Sequence, residues 1–259
     1  MGDEVVVTRD GHVQTIRINR PDSYNAINQQ VMAGIGNALI AADADRDIRV
    51  SILTGTGDKA FCAGMDLRMF SEGQPELSQE EEIGREGFMS FMHERFQTPV
   101  IGAAQGLALG GGFELLMCCD MIIVAEGVKL GLPEAKRGFF PAGGGVLLPQ
   151  RIPLPIALEL GMTGDFLETQ RAKELGCVNY VVPADEVLPL AESFALKIAS
   201  NGPLGVQSTR SLMRLAAGAS TQTVWEAQIP VQEMIWASED AKEGADAFVE
   251  KREPVWKGR

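Results

Sequence analysis

Residues 104–120, AQGLALGGGFELLMCCD, set three successive glycines, Gly110 to Gly112, directly before an amphipathic run that carries a single acid, Glu114. Bare backbone of this kind lets a second chain or a substrate approach the N–H groups closely, and a short helix starting there points its positive dipole end the same way. The alternative is the tight packing of two turns. The flanks are strand-like: PVIGAAQG (99–106) before the glycines and DMIIVAE (120–126) after the helical run. Together they read as strand, turn, helix, strand. A comparable opening at Ile52 and again at Ile101 suggests a repeated strand and helix unit, which favours an α/β core.

Working outward, EVVVT (4–8) and HVQTIRIN (12–19) read as two strands joined at Asp10-Gly11, a hairpin signal. From Asn25 to about Ala44, apolar residues fall at helical spacing, with Ile27, Val31, Ile35 and Leu39 on one stripe. A strand, IRVSILTGTG (48–57), precedes DKAFCAGMDL (58–67), which reads as a loop and a helix start; residues 71–80 read as a mobile surface loop, and 81–97 as a helix. Beyond Gly143 the pattern is helical, over 144–151, 154–162, 168–175, 185–200, 203–216, 221–238 and 239–250, with CVNYVV (177–182) as a late strand. No long linker intervenes. The expected organisation is an α/β core over 1–200 with a helical C-terminal subdomain over 201–259.

The chain has 259 residues, 45% of them hydrophobic, so it can bury a sizeable core. Cys62, Cys118, Cys119 and Cys177 include no CxxC spacing, which argues against a zinc site or a disulfide framework. With no long apolar run and a net charge of −12, the expectation is a soluble, cytoplasmic protein that binds neither nucleic acid nor an anionic membrane. An anionic small molecule remains compatible, because a few basic side chains and backbone N–H groups suffice to hold one.

Several chemistries lack their residues. GTGDKA (55–60) has GxGxxA spacing, but FCAG interrupts the long helix that a dinucleotide site needs. His12 and His93 have no metal-ligand neighbours by spacing, and no GxSxG elbow occurs. The cysteines sit in apolar contexts where the side chain acts as a small hydrophobe. Glu114 and Glu134 are more informative. Glu114 lies in an apolar segment and Glu134 follows a strand-like pair and a proline-directed turn; burial raises a carboxyl pKa towards the range useful for proton transfer, and a second carboxylate nearby separates the two titrations. Separate helix-cap or salt-bridge roles stand as the alternative. Gly64, in AFCAGMDL, offers a second amide through the residue that follows it, Met65.

Taken together, NRPDSYNAIN (19–28), KAFCAGMDL (59–67), AQGLALGGGFELLMCCD (104–120), GLPEAKRGFFPAGGG (131–145) and MTGDFLETQRAKELGCVNYVVPADE (162–186) resemble the crotonase, or enoyl-CoA hydratase/isomerase, superfamily over nearly the whole chain. The resemblance implies a ββα-repeat spiral core with a C-terminal helical subdomain, assembled as a homotrimer or homohexamer. It implies no metal and no cofactor beyond the coenzyme A that the thioester substrate carries. By the same resemblance the Met65 and Gly111 amides hold the thioester oxygen, and Glu114 and Glu134 are the catalytic acid and base of a syn-hydratase.

For CoA, the resemblance points to the backbone near Ala60, Cys62 and Ala63 and to Asp66 and Leu67, with Lys59 and Arg68 as phosphate contacts. Phe139 and Phe140 are candidate acyl-pocket residues, with packing against a neighbouring helix as the other reading. GFFP after EAKR departs from the glycine- and threonine-rich continuation of short-chain hydratases, and Met65 stands where alanine is frequent. The expected activity is reversible hydration of a 2-enoyl-CoA to a 3-hydroxyacyl-CoA. An enoyl-CoA isomerase, a carnitinyl-CoA dehydratase-like enzyme and a noncatalytic acyl-CoA-binding protein are the alternatives.

Overall fold

The computed structural model describes residues 3–68 and 76–259. The hairpin forms as expected: β1 (Val5–Asp10) and β2 (Val13–Ile18) pair antiparallel around Gly11, whose φ of +55° suits glycine at the turn. Next comes α1 (Gln29–Ala44), four residues later than the periodicity suggests. Asn25 has a left-handed backbone, and Asn28 caps the helix by accepting from the Val31 N–H at 2.9 Å. The predicted stripe is buried, with Ile27, Val31, Ile35 and Leu39 all at 1% exposure or less.

From β3 (Val50–Gly55) onward the chain alternates between two sheets. The strands β3, β5 (Val100–Ala104) and β7 (Met121–Ala125) join one sheet; β4 (Ala60–Cys62), β6 (Leu107–Leu109) and β8 (Lys129–Gly131) join the other. Each longer strand is followed by a short one that turns into the second sheet, and this is the ββα repeat. With β9 (Phe166–Glu168) and β10 (Tyr180–Val182), the described residues form a six-stranded sheet ordered β1-β2-β3-β5-β7-β10 and a four-stranded sheet ordered β4-β6-β8-β9. Pairing is parallel from β2 through β10 in the first sheet. Corners stack on corners: a Cβ at Gly106, between β5 and β6, would lie 2.4 Å from the backbone of Lys59 and Ala60, where the chain enters β4.

The short strands are where the sequence reading and the structure part. DKAFCAGMDL contains β4, and the segment read as a glycine turn contains β6. Three residues carry too little periodicity to signal a strand, so parallel pairing with a distant neighbour defines them. The helix expected over 144–151 is a 3-10 segment, Gly145–Gln150, broken up by Pro149. Of the loop expected over 71–80, residues 71–75 lie outside the described residues.

Hydrophobic residues fill the space between the sheets and beneath α1 and α2 (Gln79–Met92). The outer face of the larger sheet is covered by α6 (Val187–Ala199), after α3 (Gly111–Met117), α4 (Leu154–Thr163) and α5 (Thr169–Glu174). In α6, Val187, Ala191, Ala195 and Ala199 recur at intervals of four and pack on Ile52, Ile101 and Ile123. The remaining helices, α7 (Pro203–Ala216), α8 (Thr221–Trp236) and α9 (Glu239–Glu250), form the C-terminal bundle. It is tied to the core through Asp120, whose carboxylate accepts from Arg210 Nε at 2.8 Å and Arg214 Nε at 2.7 Å. Arg214 also donates to the Cys118 carbonyl and Arg151 to that of Met117, so cations cap the C-terminal end of α3.

Contact between α1 and α2 depends on absent side chains. A Cβ on Gly36 would fall 1.7 Å from the Gly84 carbonyl oxygen, and one on Gly84 would fall 2.3 Å from that of Ala33. Backbone cannot yield as a flexible side chain can, so Gly36→Ala must push the helices apart. The expected cost is about 1–3 kcal/mol, read as a lowered urea midpoint. An unchanged midpoint would contradict this packing.

Candidate active site

Three loops converge on a cavity of about 380 Å³. The first is Ala63 to Leu67, which follows β4. Ile27 pairs with Met65 in an isolated parallel bridge, with the Ile27 N–H donating to Gly64 O and the Asp66 N–H to Ile27 O, both at 2.8 Å. The Met65 N–H takes no part in this bridge. Gly64 has φ of +101°, and a Cβ there would lie 2.8 Å from Leu109 O. Only glycine fits the crossing of the first loop over the second.

The second loop is the glycine triplet. Gly110 has φ of +55° and precedes α3, so the Gly111 N–H opens the helix without an intrahelical acceptor. A Cβ on Gly111 would sit 3.6 Å from the Met65 nitrogen, which brings the two amides to the same wall of the cavity. Gly112 has a separate, packing role, because a Cβ there would meet the Cys62 carbonyl oxygen at 2.1 Å. Tight packing therefore accounts for Gly112, while Gly111 keeps its N–H on the cavity wall.

One turn into α3, Glu114 is 5% exposed and faces the cavity. Its Oε1 accepts from the N–H groups of Gly143 and Gly145, each at 2.8 Å. Burial pushes its carboxyl up, and these two donors pull it down by less, so the net direction is up. The third loop supplies those donors. A Cβ on Gly143 would be 2.9 Å from Glu114 Oε2, and one on Gly145 would be 3.0 Å from Oε1. The PAGGG stretch (141–145) is thus a cradle for Glu114, a role the sequence reading did not assign. Its signal was visible as a third glycine cluster.

Glu134 sits in the 3-10 turn Pro133–Arg137 and is half-buried. Its Oε1 lies 3.2 Å from where a Cβ of Gly110 would stand, while its buried Oε2 has no hydrogen-bond partner among the described residues. Burial first, and then the charge of Glu114, raise its carboxyl pKa. The two glutamates thus meet across one cavity with the Met65 and Gly111 amides, as a functional pair requires. This arrangement can polarise a carbonyl oxygen, hold a water and move a proton.

The remaining sequence candidates divide. Ala63, Leu67, Phe139 and Phe140 line the cavity, although both phenylalanines are exposed. Ala60 and Cys62 are buried inside β4, and the Ala60 carbonyl already accepts from Asn25 and Gln105. The Arg68 guanidinium, with Arg20 beside it, holds the Asp66 carboxyl well below the usual range. Asp66 is a brace, then, joining the first loop to Arg20, whose Nη1 also donates to Ala26 O. Buried Asn25 completes the brace by donating to Thr56 O and Ala60 O and accepting from the Arg20 N–H. Lys59 is exposed and does not line the cavity.

All four cysteine thiols are free and buried, with those of Cys62 and Cys118 pushed up to about 12, so they fit packing and not nucleophilic roles. No cluster of three or more His, Cys, Asp or Glu is placed to hold a metal ion among the described residues.

The sequence model of the enoyl-CoA hydratase/isomerase family matches residues 8–259. The chain belongs to the crotonase superfamily. It is 40% identical to an enoyl-CoA hydratase from Mycobacterium marinum whose crystal structure superposes with a TM-score of 0.90, each chain covering 100% of the other. An enoyl-CoA hydratase from Bacillus anthracis is 35% identical, with a TM-score of 0.89 over 99% of this chain and 100% of that one. The chain is also 36% identical to a carnitinyl-CoA dehydratase from Salmonella enteritidis, over 100% of both. As a member of this superfamily it is an enzyme of crotonase-type hydratase/isomerase chemistry on acyl-CoA thioesters. Among the described residues no helix is long and apolar enough to cross a membrane.

Because the Glu114 charge raises the Glu134 carboxyl, Glu114→Gln should lower the Glu134 midpoint in a carbon-13 carboxyl NMR titration. A midpoint that stays or rises would mean the carboxylates do not interact. Both raised carboxyls also shape stability. The folded state keeps these protons over the interval between the unfolded and the higher folded pKa, so each glutamate lowers stability as pH rises through that interval.

Proposed function

We propose that the protein is an enoyl-CoA hydratase, adding water reversibly and syn across the C2=C3 bond of a 2-enoyl-CoA to give a 3-hydroxyacyl-CoA. One observation carries this reading: two glutamates with raised carboxyl pKa values and two backbone N–H groups that have no acceptor among the described residues line the same cavity. An isomerase needs a single carboxylate to shuttle a proton. A second, held by two dedicated amide donors, supports work on a water molecule.

The thioester oxygen accepts from the Met65 and Gly111 amides, which are fixed before charge develops and therefore stabilise the enolate as C3 is attacked. Glu114, turned by its bonds to Gly143 and Gly145, orients and activates the water. Glu134, whose carboxyl pKa burial raises, acts as the general acid and delivers a proton to C2. The step leaves the proton taken from water on Glu114 and Glu134 charged, so a proton passes from Glu114 to Glu134, directly or through solvent, before the next cycle. Dehydration is the same step reversed, so the carnitinyl-CoA dehydratase relative is compatible with this residue set.

In this reading Ala63 and Leu67, at the cavity rim, flank the pantetheine arm, and Ala60 and Cys62 contribute through backbone alone. Lys59 and Arg68 remain candidates for the phosphates, and Phe139 and Phe140 for the acyl pocket. Assembly as a homotrimer or homohexamer belongs to the same proposal, with exposed Trp225, Trp236, Phe248 and Val249 on the C-terminal helices as available surface. So do a cytoplasmic location and a core that ends near residue 200.

Glu114→Gln and Glu134→Gln should each lower kcat on a short 2-enoyl-CoA by roughly 10² to 10⁴, with the Kd of an unreactive acyl-CoA little changed. Wild-type turnover in both variants would remove the assignment.

A further inference from the structure

Arg137 ends the 3-10 turn that carries Glu134, and at three residues per turn the two side chains leave the same face. Both line the cavity. The neighbouring cation is spent elsewhere: Lys136 Nζ is 2.8 Å from Asp165 Oδ1. Arg137 has no hydrogen-bond acceptor or anionic partner among the described residues, and it is the one cationic side chain among those lining the cavity. Away from the glutamates the wall is hydrocarbon and thioether, from Leu67, Met32, Phe88, Met89 and Met92. Such a wall adapts to shape but does not discriminate charge.

We propose that Arg137 is a specificity-determining residue that reads the charge on the acyl group, favouring acyl-CoAs with an additional carboxylate and rejecting those with a quaternary ammonium group. This substrate preference rests on the acyl-CoA reading above. A guanidinium offers a carboxylate two parallel N–H donors, while a fixed cation beside a cation repels it, and both effects work towards the same discrimination. The glutamates do not engage it: Glu114 is turned to Gly143 and Gly145, and Glu134 to Gly110, so neither forms an ion pair with Arg137 among the described residues.

The test is calorimetric, on the full-length protein. Three saturated acyl-CoAs of equal chain length are compared, ending in a methyl group, a carboxylate or a trimethylammonium group. The wild type should bind the carboxylate ligand roughly tenfold or more tightly than the ammonium ligand. Arg137→Ala should shrink that ratio at least about fivefold, and Arg137→Lys should restore most of it. A ratio unchanged by Arg137→Ala would overturn the proposal. So would uniform weakening for all three ligands that disappears with pantetheine thioesters, because that pattern places the contact on the nucleotide phosphates. Turnover of a neutral 2-enoyl-CoA, measured alongside, judges the hydratase reading separately: its absence removes hydration, while the Kd ratio still decides the role of Arg137.

Discussion

Glu114 is a carboxylate set in a short helix between Phe113 and Leu115, both fully buried, and the two N–H groups that Gly143 and Gly145 donate make that burial tolerable. Those bonds fix where the carboxylate points. They also fix the third loop, because Gly143 and Gly145 must lack side chains to come so close and Gly144 between them has φ of +113°. The same loop begins at the turn that carries Glu134 and Arg137, so holding Glu114 sets the positions of the rest of the polar wall.

The wider fold serves this arrangement by stacking its repeats. Strand β4 leads into the Met65 loop, β6 into the glycine triplet and β8 into the Glu134 turn, so three successive repeats deliver their loops to one end of the four-stranded sheet. Parallel pairing keeps the exits side by side. Behind the site, Arg151, Arg210 and Arg214 take the carbonyls and the acid at the far end of α3, and Asn25, Arg20 and Asp66 brace the first loop. Polar side chains here stabilise loops that could not hold these conformations through apolar packing alone.

Much of this was legible in the chain before folding. The long strands, the α1 stripe and the late helices announce themselves by periodicity over many residues. Glu114, Glu134, Gly64 and Gly111 stand out as acids or glycines in apolar surroundings. The three-residue strands β4 and β6 did not, since their identity lies in what they pair with, whereas β10 showed in CVNYVV. Nor did the brace role of Asp66, which depends on Arg20, 46 positions earlier in sequence. The cradle of Gly143 and Gly145 was visible as composition but silent as function, because nothing local says which distant acceptor a bare N–H will meet.

Addition of water across a double bond by two glutamates and two amides leaves an isotopic signature in the product. Incubation with a 2-enoyl-CoA in water enriched in oxygen-18 and deuterium, followed by mass spectrometry and NMR of the product, tests it directly. The expected product is a 3-hydroxyacyl-CoA carrying one oxygen-18 at C3 and one deuterium at C2, on the same face. A product with a migrated double bond and no solvent oxygen would contradict it.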